Sequence, residues 1–204
     1  VTSKYTRRGI SEYKKIASYI YQIVKKRTGN YFSFFPSHTF LQNVYDAYVE
    51  LYGDDEDVEC LVQSDFMKEE EREAFVNRFT GNNLIDLSGK INLDIEVEQD
   101  KSLVGFCVMG GIFSEGIDLK NDSLIGAIII GTGIPQVCLE RELIKSYFDD
   151  KDGNGYDYAY LYPGMNKVLQ AAGRVIRTNE DIGIVALLDE RFLFSSYRKL
   201  FPRE

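Results

Sequence analysis

YFSFF at 31–35, LVGFCVM at 103–109 and LIGAIII at 124–130 are the stretches of sequence that decide the fold. Each is a short, nearly uninterrupted apolar run, which is typical of a strand buried on both faces. Strands of this kind occur in parallel sheets that helices cover on both sides. The sequence therefore predicts an α/β fold with a mostly parallel central sheet, in which ligands bind at the carboxyl ends of the strands.

Weaker signals complete the set of elements. VECLV at 58–62 and GIVALLD at 183–189 predict two more strands. Apolar residues at the spacing of one helix face predict helices over 11–26, 38–51, 68–79, 136–148 and 163–177. Pro163 is a start signal for the last of them. Apolar and polar residues alternate between Gly81 and Lys101, which we interpret as an insertion within a single domain spanning 1–204.

Composition limits the classes of function. The 204 residues carry a net charge of −8, which argues against a surface that binds DNA by counterion release alone, so we expect any nucleic-acid contact to be local. The chain starts at Val1 and shows neither a signal peptide nor a membrane span, so we expect a fragment of a larger cytoplasmic protein. Three cysteines match no metal or disulfide spacing and are expected to be buried thiols, with no metal site.

The helix predicted for PGMNKVLQAAGRVIR, residues 163–177, has two specialised faces. One is an apolar stripe, and the other carries Gln170, Gly173, Arg174 and Arg177. A glycine within a helix costs about 1 kcal/mol against alanine, which suggests that something packs closely against Gly173. Two guanidinium groups one turn apart can approach a polyphosphate together, as arginine fingers do. The alternative, a solvated arginine face, remains open.

GGIFSEGID, residues 110–118, follows a predicted strand directly. Its glycines, Gly116 among them, permit close approach of the backbone, and Ser114, Glu115 and Asp118 can bind a sugar hydroxyl or orient a water molecule. A glycine-rich turn between two strands is the alternative interpretation.

FFPSH, residues 34–38, ends the first buried strand. Ser37 can cap the next helix, and the first amides of that helix suit a phosphate of a nucleic-acid strand. Capping alone would also explain the pattern, and the two interpretations are compatible. His38 is the only histidine, which we interpret as excluding histidine-dependent catalytic triads and metal sites with several histidines. The chain also lacks the G-x-x-x-x-G-K-[ST] loop that cradles phosphates and binds magnesium.

FFPS, GGIFSEGIDL and QAAGRVIRTNEDIGIVALLDERF resemble, in order and spacing, motifs IV, V and VI of the DinG and XPD group of superfamily 2 helicases. The resemblance runs from SKYTRR at 3–8 to LFPR at 200–203. It implies a RecA-like, three-layer second motor domain of an ATP-dependent helicase that moves 5′ to 3′ on single-stranded DNA. Its partners would be that DNA and the first RecA-like domain, which would bind most of the ATP and Mg²⁺ and carry an iron–sulfur cluster.

The same resemblance implies roles for individual residues. Catalytic roles fall on Arg174, Arg177 and Gln170; nucleotide binding falls on Gly116, Asp118 and Gly173; nucleic-acid binding falls on Ser37, His38, Ser114 and Glu115. The sequence departs from the family pattern at 81–101, which is longer than the usual link into motif V. Two other functions stay open: a degenerate module for partner binding, and part of a nuclease–helicase fusion. The sequence upstream of Val1 would decide between them.

Overall fold

The computed structural model describes residues 1–80, 101–115, 124–176 and 181–202, with only the backbone of residues 114 and 115. Within these residues the strands are β1 (Asn30–Phe35), β2 (Val58–Val62), β3 (Ser102–Val108), β4 (Gly126–Ile130) and β5 (Ile184–Leu188). They form one sheet in the order β2-β3-β1-β4-β5, and every neighbouring pair is parallel. The predicted α/β fold with a parallel sheet is confirmed.

Helices cover both faces of this sheet. They are α1 (Ile10–Lys26), α2 (His38–Tyr52), α3 (Glu69–Thr80), α4 (Ile112–Glu115), α5 (Leu139–Asp152), α6 (Tyr162–Ala172) and α7 (Ser195–Arg198). Apolar residues of α1 and α2 pack on one face, and those of α3, α4 and α6 pack on the other. The fold is therefore three-layered. No helix among the described residues is long and apolar enough to cross a bilayer.

Strand β1 explains why its sequence reads as a continuous apolar run. All six of its residues are buried. Tyr31 and Phe35 pack with α1 and α2, whereas Phe32 and Phe34 belong to the cluster on the opposite face. Because successive side chains of a strand point to opposite faces, a strand that is covered twice favours apolar residues, and β1 has them at every position except Asn30 and Ser33.

All strands of a parallel sheet end at the same edge, here called the carboxyl edge, and begin at the opposite, amino edge. Helix α6 runs back between these edges. Near its start, Gly164 lies against Thr132 and Ile134, which follow β4, and beyond its end Val175 lies against Gly183, which precedes β5. The first turn of α6 is therefore at the carboxyl edge, and the residues after its last turn are at the amino edge.

The structure corrects two predicted bounds around α6. The helix ends at Ala172 with Gly173 as its C-cap, so the predicted helix over 163–177 is too long. The apolar periodicity continues to Val175, which is buried, but Val175 lies in a turn after the helix rather than in the helix itself. Pro163 is also not the start of helical structure, because a π-helical turn, Asp157–Leu161, leads directly into α6.

Candidate functional site

Arg174 lies just beyond the end of α6, at the amino edge of the sheet, and is half-buried. Gln170, one turn earlier, is exposed, as is Gly173. A β-carbon added to Gly173 would meet only the carbonyl oxygens of Leu169 and Gln170, at 3.3 and 3.6 Å. Within the described residues, nothing from outside its own helix packs against this glycine. Arg177 lies outside the described part of the chain.

This position differs from the expectation that the ligand-binding residues gather at the carboxyl ends of the strands. Arg174 follows a helix that runs antiparallel to the strands, so it emerges at the amino edge instead. Among the described residues, Ser37 and His38 after β1 and the backbone of Ser114 and Glu115 after β3 lie at the carboxyl edge. The structure therefore divides the predicted residues between two edges of the sheet rather than gathering them in one cluster.

Ser37 lies at the carboxyl edge, between β1 and α2, and the predicted N-cap is confirmed. Its Oγ accepts a hydrogen bond from the Phe40 amide at 3.3 Å, and its carbonyl oxygen accepts one from the Leu41 amide at 2.9 Å. The first amides of α2 have no intrahelical acceptor, as at any helix start.

His38 faces the loop after β2. Its Nδ1 lies 3.0 Å from Oδ1 of Asp65, which forms an ion pair when the imidazole is protonated. An open groove of about 580 Å³ lies here, lined by His38, Thr39, Leu41, Gln42, Asn43, Val62, Gln63, Ser64 and Asp65. The negative charge of the Asp65 carboxylate disfavours the binding of a phosphate next to His38, because like charges repel each other.

The glycine-rich segment after β3 begins with a tight turn. Gly110 has a φ of 70°, a conformation that residues with a β-carbon rarely adopt. Helix α4 then buries Phe113, whose ring centroid is 4.3 Å from that of Phe75. Ser114 and Glu115 end α4, but their side chains lie outside the described residues, and so do Gly116 and Asp118.

Two polar residues that sequence reasoning missed lie beside this turn. Gln63 is only 7% exposed, and its Oε1 accepts a hydrogen bond from the Val108 amide at 2.9 Å. The side chain of Lys167, on α6, runs along Gly110 and also approaches Gly133. Lys167 resembled an ordinary surface lysine in the sequence, and only the path of α6 across the carboxyl edge brings it here.

A third missed feature joins the start of the chain to the end of β5. The fully buried carboxylate of Asp189 accepts hydrogen bonds from the Ser3 amide at 2.9 Å and the Ser3 hydroxyl at 2.7 Å. Arg191 donates to the same carboxylate from Nε and Nη2, each at 2.8 Å. Burial alone would raise the pKa of Asp189, but the hydrogen bonds from Arg191 and Ser3 outweigh it and hold the pKa at about 2. We call this group the Asp189 clasp.

The cysteines do not meet in space. Cys107 is buried, Cys60 is half-buried and Cys138 is exposed at the start of α5, so the prediction that all three are buried is wrong for Cys138. Burial raises the pKa of Cys107 and raises that of Cys60 to about 12, so both stay protonated thiols, which are poor metal ligands. Among the described residues, no group of three acidic, histidine or cysteine side chains could hold a metal ion. The described residues therefore offer a ligand set neither for an iron–sulfur cluster nor for a magnesium ion.

Residues 20–204 match the family model described as Helicase C-terminal domain. The chain belongs to this family. This helicase C-terminal domain is 37% identical over 91 residues to the ATP-dependent DNA helicase DinG of Photobacterium profundum, covering 44% of this chain and 13% of the relative. It is 27% identical over 176 residues to the ATP-dependent DNA helicase CHL1 of Vanderwaltozyma polyspora, a match that covers 81% of this chain and 19% of the relative. The human regulator of telomere elongation helicase 1 is 34% identical over 104 residues, covering 47% and 8%.

Solved structures support the same fold. A structure titled as an XPD helicase superposes with a TM-score of 0.69 at 22% identity, covering 98% of this chain and 32% of the other. A second, titled as apo XPD, has a TM-score of 0.70 at 24% identity, covering 98% and 36%. The DinG and XPD type of helicase C-terminal domain, with a RecA-like fold, is therefore confirmed. The domain spans only 8 to 19% of the length of the three curated relatives named above.

Proposed function

We propose that this helicase C-terminal domain is the second motor domain of an ATP-dependent DNA helicase that moves 5′ to 3′ on single-stranded DNA. One observation carries the proposal: α6 spans the sheet from the carboxyl edge, where Ser37 and the Gly110 turn lie, to the amino edge, where Arg174 lies. A nucleotide at one end of this helix and a nucleic-acid strand near the other would be mechanically connected.

The amino-edge end of α6 is the proposed nucleotide surface. Gln170 and Gly173 are exposed there beside Arg174, so a neighbouring domain that carries ATP can approach closely. The forked guanidinium donors of Arg174 and Arg177 would stabilise the charge that develops on the transferred phosphoryl group. Gly116 and Asp118, which lie outside the described residues, are proposed to contact the nucleotide as well. ATP and Mg²⁺ would be bound mainly by the first motor domain, since this chain has no P-loop.

The carboxyl edge is the proposed nucleic-acid surface. The uncapped amides at the start of α2, together with Ser37, suit a backbone phosphate. His38, Ser114 and Glu115 are proposed to flank the strand. Contacts through amides and hydroxyl groups agree with the net charge of −8, because they need no extended basic surface.

Helix α6 can transmit movement between these surfaces because it is firmly packed. Met165, Val168 and Ala171 are at most 2% exposed and belong to the core cluster on that face of the sheet. When the cleft between the two motor domains closes on ATP, this domain would move as one body and carry its nucleic-acid surface with it. Release of the products would reopen the cleft, so that one hydrolysis gives one step.

The isolated 204-residue chain is expected to fold as a monomer without ATPase activity. Nothing in its sequence supplies the loop that positions the β-phosphate and magnesium. Phosphate release should equal that of a buffer blank, with or without single-stranded DNA. Turnover above the blank would contradict the division of labour between two motor domains.

The full-length parent protein is expected to hydrolyse ATP only when single-stranded DNA is present, and to unwind duplexes that carry a 5′ overhang. The measurement compares 5′-tailed, 3′-tailed and blunt substrates, with an RNA substrate as the control. Preference for the 3′ tail would reject the proposed direction. Hydrolysis without DNA would favour another NTPase role, and no turnover at all would favour a module that binds a partner.

A further inference from the structure

The turn formed by Gly110 and Gly111 at the end of β3 is approached by a hydrogen-bond donor on each side. A β-carbon on Gly110 would lie 3.0 Å from Cε and 3.3 Å from Nζ of Lys167. A β-carbon on Gly111 would lie 3.4 Å from Nε2 of Gln63. Neither glycine carries a side chain, so an ammonium group and a side-chain amide approach the turn from its two sides.

Neither donor has an acceptor among the described residues. The carbonyl of Gln63 is used by the Val108 amide, which fixes the side chain and directs its NH₂ group toward the turn. Several lysines are paired with carboxylates, such as Lys14 with Glu50, Lys25 with Asp55 and Lys145 with Asp149, whereas no carboxylate among the described residues pairs with Lys167. In a chain with 32 acidic residues, the absence of a carboxylate beside Lys167 within the described residues leaves this position suited to an external anion.

We propose that Lys167 and Gln63 bind one phosphate of the nucleic-acid backbone over the Gly110–Gly111 turn. The inference rests on the proposed function and adds to it a contact that no helicase motif in this chain contains. A phosphate held by these two donors can approach the turn closely because no β-carbon intervenes. The turn lies at the same edge as Ser37, whereas the nucleotide surface at Arg174 is at the opposite edge, so the phosphate belongs to the nucleic acid rather than to ATP.

The test uses the full-length parent protein and measures its affinity for oligo-dT by fluorescence anisotropy across a series of salt concentrations. For Lys167→Ala, the slope of log affinity against log salt should fall in magnitude by about 0.7, the value for one phosphate contact on a single strand. Lys167→Arg should retain the slope because it keeps the charge. Lys26→Ala is the matched control, since Lys26 is exposed at the opposite, amino edge of the sheet.

Gln63→Glu provides a second, independent variant. It keeps an oxygen to accept from the Val108 amide, so folding should be preserved, but it places a negative charge beside the turn. Affinity for oligo-dT should fall roughly tenfold, in line with a lost charge-assisted contact, while ATP affinity stays unchanged. An unchanged salt slope in Lys167→Ala would overturn the inference, and so would a loss of ATP affinity in place of DNA affinity. Absence of DNA binding by the unmodified protein would instead overturn the proposed function itself.

Discussion

Arg174→Ala in the full-length protein is expected to lower ATP turnover by about 10³-fold or more, the range seen when an arginine finger is removed. Arg174 stands at the exposed end of α6, next to a glycine that leaves room for a second domain. Its charge would act on the phosphoryl group mainly in the transition state, so ATP binding should change far less than turnover. Steady-state kinetics with single-stranded DNA present, together with a binding measurement for ATP, would check both expectations.

Two further variants sharpen this test. Arg174→Lys should also be strongly impaired, because an ammonium group cannot reproduce the forked donors of a guanidinium group. Arg27→Ala is the matched control, since Arg27 is an exposed arginine at the same edge, between α1 and β1, and should leave turnover within about twofold. A rate for Arg174→Ala close to that of the unmodified enzyme would return the arginine to the role of a solvated surface residue.

Asp189→Ala is expected to lower the free energy of unfolding by about 3–5 kcal/mol, because it leaves the guanidinium group of Arg191 partly buried without its counter-ion. It also removes the acceptor for the Ser3 amide and hydroxyl, so the N-terminal segment should come loose. Asp189→Asn keeps the shape of the side chain and one acceptor oxygen, so it should lower the free energy of unfolding less than Asp189→Ala does. Urea unfolding of the isolated domain measures the stability of both variants against the unmodified domain, with Asp54→Ala, at an exposed position, as the control.

The Asp189 clasp also predicts how stability depends on pH. The pKa of Asp189 falls from an ordinary value of 3.8 to about 2 in the folded protein, so the unfolded chain takes up the proton first as the pH falls. The clasp therefore contributes its full stabilisation, about 2 kcal/mol, above pH 4 and loses it between about pH 4 and pH 2. In Asp189→Asn this part of the acid sensitivity should disappear. An unchanged pH profile would show that another group dominates.

The secondary structure was predictable where burial determines the residue types. Strand β2 occupies the predicted range, and β1, β3 and β4 differ from it by at most two residues at either end. Prediction failed where two signals compete, as at the end of α6. The apolar period there continues to Val175, but Gly173 ends the helix, and periodicity alone cannot detect that.

The candidate site was less predictable, because it depends on contacts between residues far apart in the sequence. Ser37 could be identified because capping is local. No local pattern indicates that Lys167 crosses to Gly110, or that Arg174 emerges at the amino edge. The clasp left one usable signal, an Asp-x-Arg sequence directly after a buried strand, in which an acid and a base follow the strand that must bury them.

The clasp determines the order in which parts of the domain can fold during synthesis on the ribosome. Ser3 is synthesised well before its partner, because 186 positions separate it from Asp189. At about 5–20 residues per second, synthesis leaves the N-terminal segment without its partner for roughly 10 to 40 seconds. The edge of the sheet beside β4 is uncovered over the same interval, because β5 directly precedes Asp189. The nascent domain is therefore expected to depend on chaperones until β5 emerges, and the segment around Ser3 is secured only after that.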